Sequence, residues 1–271
     1  MNLNKHFTVK SNWQIWRILI SESDYLVLES RDKDTKEVFF HSYHLETGKP
    51  LFENFQLDEK YYVGIETIYK DILYFHKYPK PDLPNHKGIA AFDIVTSEML
   101  WDNEEYSFLF AHNEKLYCFK QGFDERYFYT VDYKTGEMLE DIGSDYRKIN
   151  ALRMEADRQN NFDDYIFPKL DFEESEFKPL ILDNLKNLEV HGNIEYATFD
   201  NLLMFNYHLK EGGEFYTNYF RIIDLQNHNT LFEEALNKKA GSLFTDSFFI
   251  YKNYLILLKE KDGLNIYKLE K

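Results

Sequence analysis

Several residue types are scarce in this chain, and each scarcity excludes a class of protein. The single cysteine, Cys118, excludes a disulfide within the chain. Eleven glycines and six prolines among 271 residues exclude collagen-like and low-complexity sequences. The longest uninterrupted apolar run, Tyr254–Leu258, is too short to span a bilayer. We therefore expect no association with membranes, and the 44% of hydrophobic residues is ample material for a globular core.

Clustered positive charge and an export signal are also missing. The chain carries a formal net charge of −15 and no Lys/Arg cluster, so we expect no nucleic-acid binding. The acidic surface serves either solubility or attraction to a basic partner. No apolar segment follows the first six residues, which predicts no signal peptide and a cytoplasmic location. We expect a monomer.

The common catalytic and metal-binding motifs are absent from the sequence. There is no P-loop, dinucleotide fingerprint, Gly-x-Ser-x-Gly, His-Glu-x-x-His or Cys-x-x-Cys motif. The nine histidines are scattered, without the spacing typical of metal ligands. The sequence therefore predicts neither a metal site nor a cofactor.

A degenerate phrase recurs about every 45 residues, which indicates an array of repeated supersecondary units. Each copy has strand-type residues, often an aspartate, then a turn and an apolar pair. Clear copies occupy 43–52, 92–101, 131–139 and 223–232. The spacing predicts a further copy at 180–188, with Asp183 in the aspartate position, and a shortened copy at 264–269.

Each repeat divides into four short strand-like segments separated by polar turns. In the second repeat these segments are Val63–Tyr69, Ile72–Tyr78, Gly88–Val95 and Glu98–Asn103. Six such units predict an all-β fold, a six-bladed β-propeller forming one domain over residues 1–271. The strand His6–Lys10 is expected to complete the last blade and close the ring. Residues 141–178 carry few strand signals apart from Tyr165–Phe167, and the stretch Arg153–Asp164 is expected to form a loop or a helical insertion.

The repeated phrase resembles the blade motif of quinoprotein-like propellers, which are related to WD repeats. Asp93, Thr96, Ser97 and Trp101 carry the resemblance most closely. It implies that Trp101 packs between neighbouring blades. Quinoprotein enzymes have eight blades, adjacent cysteines and an export signal, from all of which this chain departs, so no quinone is expected. The whole chain looks most like uncharacterised bacterial single-propeller proteins of unknown function.

Polar residues on the predicted innermost strands are the first candidate site. These strands are Ile15–Ile20, Val63–Tyr69, Phe108–His112, Leu152–Ala156, Glu195–Phe199 and Leu243–Phe248. In propellers these strands line a central channel, so a ring of carboxylates, arginine and histidine could support acid–base chemistry or bind a cation. The alternative is that they only solvate the channel. The candidates are Arg17, Glu66, His112, Arg153, Glu155, Glu195 and Asp246.

The hairpin from Phe75 to Gly88 is the second candidate site. It contains three of the six prolines and three lysines in a strongly acidic chain. It is either a stiff, locally basic lip that contacts a ligand or partner, or a rigid loop without a role. Its candidate residues are His76, Lys77, Tyr78, His86 and Lys87.

Two functions remain open at this level. The favoured one is a non-catalytic scaffold that binds a protein partner or a small-molecule ligand. The alternative is an enzyme, a lyase or hydrolase, with a polar site at the channel mouth. Side chains from three or more blades converging in a concave mouth would favour the enzyme.

Overall fold

Short antiparallel strands form almost all of the regular structure in the computed structural model, which describes residues 2–79, 85–159 and 162–270. The chain divides into two units, one of Ser11–Asn161 and one combining Met1–Lys10 with Phe162–Lys271. The first strand, β1 (Asn2–Lys10), belongs to the second of these units. The expected single domain therefore stays a prediction.

Three antiparallel sheets of four sequential strands form the unit Ser11–Asn161. The first sheet contains β2 (Gln14–Ile20), β3 (Tyr25–Arg31), β4 (Val38–His44) and β5 (Pro50–Phe55). The second contains β6 (Val63–Tyr69), β7 (Ile72–Lys77), β8 (Lys87–Asp93) and β9 (Glu98–Asn103). The third contains β10 (Ser107–His112), β11 (Lys115–Gln121), β12 (Arg126–Asp132) and β13 (Met138–Gly143). The strands predicted for the second repeat are confirmed to within two residues.

The repeated phrase forms the turn between the third and fourth strands of a sheet. In the second sheet Asp93 Oδ1 accepts hydrogen bonds from the backbone N–H of Val95 and Thr96, at 2.9 and 3.0 Å. Asp132 caps the equivalent turn of the third sheet in the same way. A short side-chain acceptor two residues before a backbone donor is the chemistry that favours this turn. The recurrent aspartate is thus a local turn-former.

Aromatic side chains pack between neighbouring sheets of this unit. Trp101, on the last strand of the second sheet, contacts Tyr74 of the same sheet at a ring separation of 6.2 Å. Its indole also lies over the turn glycine of the third sheet, Gly136, where a Cβ atom would come within 2.6 Å of the ring. The predicted position of Trp101 between successive repeats is confirmed.

The second unit contains the two remaining sheets. The fourth sheet consists of β15 (Val190–Phe199), β16 (Leu202–Lys210), β17 (Tyr216–Asp224) and β18 (Thr230–Ala240), and the fifth contains β19 (Phe248–Tyr251), β20 (Tyr254–Lys259) and β21 (Gly263–Glu270). The strand β1 pairs antiparallel with β21, from Asn2 opposite Glu270 to Lys10 opposite Gly263. The N-terminal strand therefore adds to the last sheet, as predicted.

The segment between the third and fourth sheets contains a helix where an insertion is expected, but it lacks the expected copy of the repeated phrase. Its helices are α1 (Tyr146–Gln159) and α2 (Lys178–Leu185), and the strand β14 (Tyr165–Ile166) between them adds to the edge of the fifth sheet. The copy of the phrase predicted at 180–188 is wrong, because Asp183 lies in α2. Ile181 and Leu185 lie four residues apart and are both buried, which is helical spacing.

The number of sheets also differs from the predicted number of blades. The described residues form five sheets, so a count of six and a closed ring are not confirmed. What the structure shows is an all-β fold of antiparallel sheets, most of them four-stranded, with two α-helices among the described residues. Neither of those helices is long and apolar enough to cross a membrane.

Replacement of Gly136 by alanine tests the packing between the second and third sheets. Gly136 has φ +72 and its added Cβ would meet Trp101, whereas Gly143 has φ +68 with nothing within 4 Å of a Cβ. The left-handed backbone alone should cost the control Gly143→Ala about 1–2 kcal/mol. Gly136→Ala should cost about 1–3 kcal/mol more because of overpacking. Urea unfolding of both variants checks this, and equal losses would contradict the close approach.

Candidate metal centre

One position on the second strand of every sheet is the starting point for the site. It is the fifth residue after the tight turn that precedes the strand. In the five sheets this residue is Glu29, His76, Phe119, Asn206 and Leu258. The three polar members are at most 1% exposed. A buried polar group left without a partner costs about 1–3 kcal/mol, so each of the three requires one.

Two of the three buried polar side chains have well-aligned partners. Glu29 accepts a hydrogen bond from the backbone N–H of Ile65 at 2.8 Å and one from Arg31 Nε at 2.7 Å. Asn206 Nδ2 donates to the Glu195 carboxylate at 2.6 Å. At these two positions the buried polar group is satisfied within the protein.

His76 is the exception. Its side chain is 1% exposed, yet neither ring nitrogen makes an aligned hydrogen bond with any of the described residues. Nδ1 lies 3.0 Å from Glu66 Oε2 without the alignment of a hydrogen bond. The opposite edge of the ring lies against Gly64, where an added Cβ would be 3.0 Å from Cε1 and Nε2. The imidazole is therefore held tightly: Nε2 has no partner among the described residues, and Nδ1 has only the misaligned contact with Glu66.

A β-bulge places Glu66 beside His76. The pairing of β6 with β7 shifts register between Ile65 and Thr67, so Glu66 is the additional residue. Bulges re-aim a side chain relative to the regular pleat. The first strands of the first and third sheets shift in the same way at Trp16 and Leu109, so the bulge recurs in three of the sheets. Only the second sheet puts a carboxylate there.

His86 approaches the same carboxylate from the residue before β8. Its backbone carbonyl accepts a hydrogen bond from Ser107 Oγ at 2.9 Å, which ties this residue to β10 of the third sheet. His86 Nδ1 lies 2.7 Å from Glu66 Oε2. The two imidazoles stack with their centroids 3.5 Å apart and their planes within 4°. Tyr78 stands perpendicular to both rings at 5.0 and 5.2 Å.

The charge states of this cluster suit metal ligation. Burial lowers the pKa of His76, so the imidazole is neutral near pH 7. For Glu66, burial alone would raise the pKa, but the contacts with His76 and His86 outweigh burial and the pKa is lowered. Metal ligation requires neutral imidazole and ionised carboxylate. His76 and Glu66 meet these conditions at neutral pH.

The geometry is close to what one divalent ion requires. One ligand atom from each of Glu66, His76 and His86 lies within 4.8 Å of the others. Ligand atoms around an ion at about 2.1 Å are separated by about 3.0–3.4 Å. Because the two rings are parallel, one must turn for both to face one ion, and His86, 32% exposed, has the freedom to do so. Two imidazoles and one carboxylate suit zinc, iron(II) or a similar metal and leave coordination positions open.

A cavity of about 640 Å³ adjoins the cluster and shares His86 with it. Its walls combine three cations, several polar groups and two phenyl rings. The lining residues are Pro79, Asn85, His86, Lys87, Glu105, Ser107, Phe108, Phe119, Lys120, Gln121 and Arg126. In a chain of net charge −15 this wall carries one carboxylate, Glu105, which pairs with Lys120.

Several residues predicted to line a channel make local contacts within their own unit. Arg17 donates to the backbone carbonyl of Ile65 at 2.7 Å, and His112 Nε2 lies 3.8 Å from Glu155 Oε1. Glu195 is buried and accepts the backbone N–H of Asp246 at 3.0 Å. These are contacts within each unit that tie strands, helices and loops together.

Two of the predicted inner strands are also corrected. The segment Leu152–Ala156, which carries Arg153 and Glu155, lies in α1, and both side chains are exposed. Asp246 is exposed and precedes β19, so it does not lie on a strand. In each case the residues that looked like alternating strand positions lack a neighbouring strand to pair with.

The predicted lip residues separate into two groups. His76, Tyr78 and His86 come together around Glu66. Lys77 instead pairs with Asp102 at 2.8 Å, and Lys87 lines the cavity. Residues 80–84 of the predicted hairpin, with two of its three prolines, lie outside the described residues.

All three cluster residues are candidates from the sequence, but they belong there to different predicted sites. Glu66 was placed in the channel set, and the two histidines in the lip. The usable signal was the repeat itself, because aligning the second strands puts His76 at the position of Glu29 and Asn206. The bulge at Glu66 has no local sequence signature, so the carboxylate could not be joined to that histidine from the sequence.

Comparisons with known proteins add little to this geometry. Residues 20–101, less than half of the chain, match the family model Domain of unknown function (DUF4905). No curated protein matches the chain. The matched segment contains Glu66, His76 and His86, so the cluster lies in the part of the chain that resembles other sequences.

Several solved structures resemble the chain weakly. A europium-containing methanol dehydrogenase is 9% identical over 97% of this chain and 52% of its own, with a TM-score of 0.32. The Dos1 propeller is 12% identical over 95% and 68%, with a TM-score of 0.32. An uncharacterised protein from Listeria monocytogenes EGD-e is 10% identical over 96% and 95%, with a TM-score of 0.35. The chain spans about half the length of the dehydrogenase, and similarity at this level assigns no function.

Acidification should destabilise the metal-free protein in part through His76. Burial lowers the folded-state pKa of this residue below its ordinary value of 6.5, so the unfolded chain binds a proton first as the pH falls below about 6.5. Its stabilising contribution is therefore present above pH 6.5 and is lost below it. In EDTA, the melting temperature of His76→Gln should fall less between pH 7.5 and 5.5 than that of the unaltered protein. The exposed control His228→Asn should retain the full fall, and an unchanged fall in His76→Gln would refute the assignment.

Proposed function

We propose that this protein binds one divalent transition-metal ion through Glu66, His76 and His86 and uses the adjoining cavity to bind a ligand. The observation that carries the proposal is the buried His76 imidazole, which has no aligned partner while facing a carboxylate and a second imidazole. Hydrogen bonding within the protein satisfies Glu29 and Asn206 at the same position of other sheets. A metal ion would supply the partner that His76 lacks.

The ligand set favours a site that acts on a ligand over a closed structural site. Structural zinc sites take four protein ligands, whereas catalytic and ligand-binding sites take three and keep a position open. Three protein ligands occur among the described residues here, and one of them, His86, lines the cavity. This supports the binding function expected from the sequence, which we propose for the second sheet.

A metal-dependent hydrolase or lyase is the second candidate. A bound divalent ion lowers the pKa of a coordinated water and polarises a ligand oxygen, which is the chemistry both reactions use. The observation favouring it is the cavity of about 640 Å³ beside the cluster, which lies within the size range of small-molecule sites. On this proposal, His76 and Glu66 hold the ion from the buried side and His86 holds it from the cavity side.

We also infer that the repeated sheets are propeller blades. The sequential order of strands within four sheets, the capped turns and the pairing of β1 with β21 support this inference. Six blades in a closed ring, a monomeric state and a cytoplasmic location stay predictions.

Metal titration tests the proposed function directly. Tag-free protein, stripped with EDTA and dialysed, should bind close to one equivalent of Zn²⁺ by calorimetry. His86→Ala removes a ligand from the exposed side of the cluster and should weaken binding at least about 100-fold, because even residues that only support metal ligands change affinity 10–100-fold. Co²⁺ should give an absorption spectrum that reports its coordination.

Matched variants separate the site from adventitious binding to an acidic surface. Glu66→Gln keeps the size of the side chain but removes its charge, and it should weaken Zn²⁺ binding as His86→Ala does. Glu155→Gln and His228→Ala change an exposed carboxylate and an exposed histidine and should leave binding unaltered. Equal binding by the unaltered protein and by His86→Ala would show that the cluster is a packing arrangement only.

A further inference from the structure

The wall of the cavity beside His86 carries more basic than acidic side chains, whereas the molecule as a whole is acidic. The chain as a whole carries 47 acidic and 32 basic side chains. The cavity is lined by Lys87, Lys120 and Arg126 and by a single carboxylate, Glu105. Lys120 and Glu105 form an ion pair, whereas Lys87 and Arg126 form none within the part of the chain that the structure describes. Local positive charge in an acidic protein favours an anionic ligand.

Lys87 and Arg126 have hydrogen-bond donors without a partner among the described residues. Arg126 lies with its guanidinium carbon 4.4 Å from the centre of the Phe119 ring, and its Nε donates to Gln121 at 3.2 Å. These contacts fix the plane of the guanidinium, while its Nη atoms have no hydrogen-bond partner among residues 2–79, 85–159 and 162–270. Lys87 likewise makes no hydrogen bond within that part of the chain. A fixed guanidinium with both Nη groups free suits a carboxylate or phosphate.

The size and the apolar part of the cavity indicate that the anion is an organic molecule. A volume of about 640 Å³ exceeds what an inorganic anion requires and lies in the range of small-molecule sites. Phe108, Phe119 and Pro79 provide apolar wall, and Ser107 and Asn85 provide polar groups. Such a combination of apolar surface with few polar anchors is typical of sites for small organic ligands.

His86 joins the cavity to the metal cluster, since it belongs to both. We propose that the cavity binds a small organic oxyanion, a carboxylate or a phosphate ester, which is held by Arg126 and Lys87 and reaches the metal ion at His86. The inference rests on the proposed function, because the ion is the third positive group that the anion meets. An anionic oxygen fills an open position on a metal held by two imidazoles and one carboxylate.

Calorimetry with phenyl phosphate as the probe tests the inference. The Zn²⁺-loaded protein should bind phenyl phosphate at least about tenfold more tightly than the EDTA-stripped protein, because a metal–oxygen contact is added. Arg126→Gln should weaken binding by the loaded protein about tenfold or more through loss of charge-assisted hydrogen bonds. Lys134→Gln, which changes an exposed lysine on a turn of the third sheet, is the matched control and should have no effect.

Two further probes identify the chemistry that is recognised. Benzoate should bind in an Arg126-dependent manner, whereas neutral benzyl alcohol, with the same ring and no charge, should bind far more weakly. Comparison of phenyl phosphate with benzoate distinguishes a phosphate ester from a carboxylate as the preferred oxyanion. Equal binding of benzyl alcohol and benzoate would overturn the inference.

The outcomes separate this inference from the proposed function. If Zn²⁺ binds as proposed but phenyl phosphate does not bind, or binds equally well to Arg126→Gln, the oxyanion site is refuted and the metal site stands. If phenyl phosphate binds with equal affinity with and without bound Zn²⁺, the link through His86 is refuted. If Zn²⁺ itself does not bind, its own titration shows that the proposed function has failed, and the inference fails with it.

Discussion

The burial of polar side chains on the second strand of a sheet is the constraint from which both the fold contacts and the candidate site follow. A carboxylate, amide or imidazole placed there must find a partner close by, because water does not reach it. Glu29 finds the backbone N–H of Ile65, on the first strand of the next sheet, and so ties two sheets together. Asn206 finds Glu195 on the first strand of its own sheet. His76 occupies the same position, and the groups that face it are a carboxylate and a second imidazole, which together resemble a metal-ligand set.

The sequence predicted those parts of the fold whose causes are local. The phrase around Asp93 and Asp132 is recognisable because each carboxylate caps its own turn within three residues. The same reasoning failed at Asp183, where an aspartate among leucines fits the phrase but lies in a helix that begins next to Pro179. Proline in the first turn of a helix is a helix-start signal. The spacing between copies of the phrase varies too much to outweigh that signal.

The candidate site was predictable only in pieces. Glu66, His76 and His86 each stood out as polar residues in unusual places, but what unites them is three-dimensional. The bulge that turns Glu66 depends on the pairing of β6 with β7, and the position of His86 depends on Ser107 of the next sheet. Neither dependence leaves a pattern of residue types along the chain. Scattered histidines without metal spacing are therefore weak evidence against a metal site in a repeat fold, where the sheets themselves bring distant positions together.

Energetics favour a ligand for His76 over simple packing. The third and fifth sheets hold Phe119 and Leu258 at the equivalent position, so the fold accommodates apolar side chains there. An imidazole with unpaired buried nitrogens costs about 1–3 kcal/mol for each. The stacking on His86 and the edge contact with Tyr78 stabilise the fold by about 0.5–1.5 kcal/mol per ring pair, which at most balances this loss. A phenyl ring at this position would make the same ring contacts. A bound metal ion contributes more than either amount, and it needs the imidazole nitrogen that a phenyl ring lacks. On the proposed function, the ion is the partner of Nδ1, the ring nitrogen that faces Glu66.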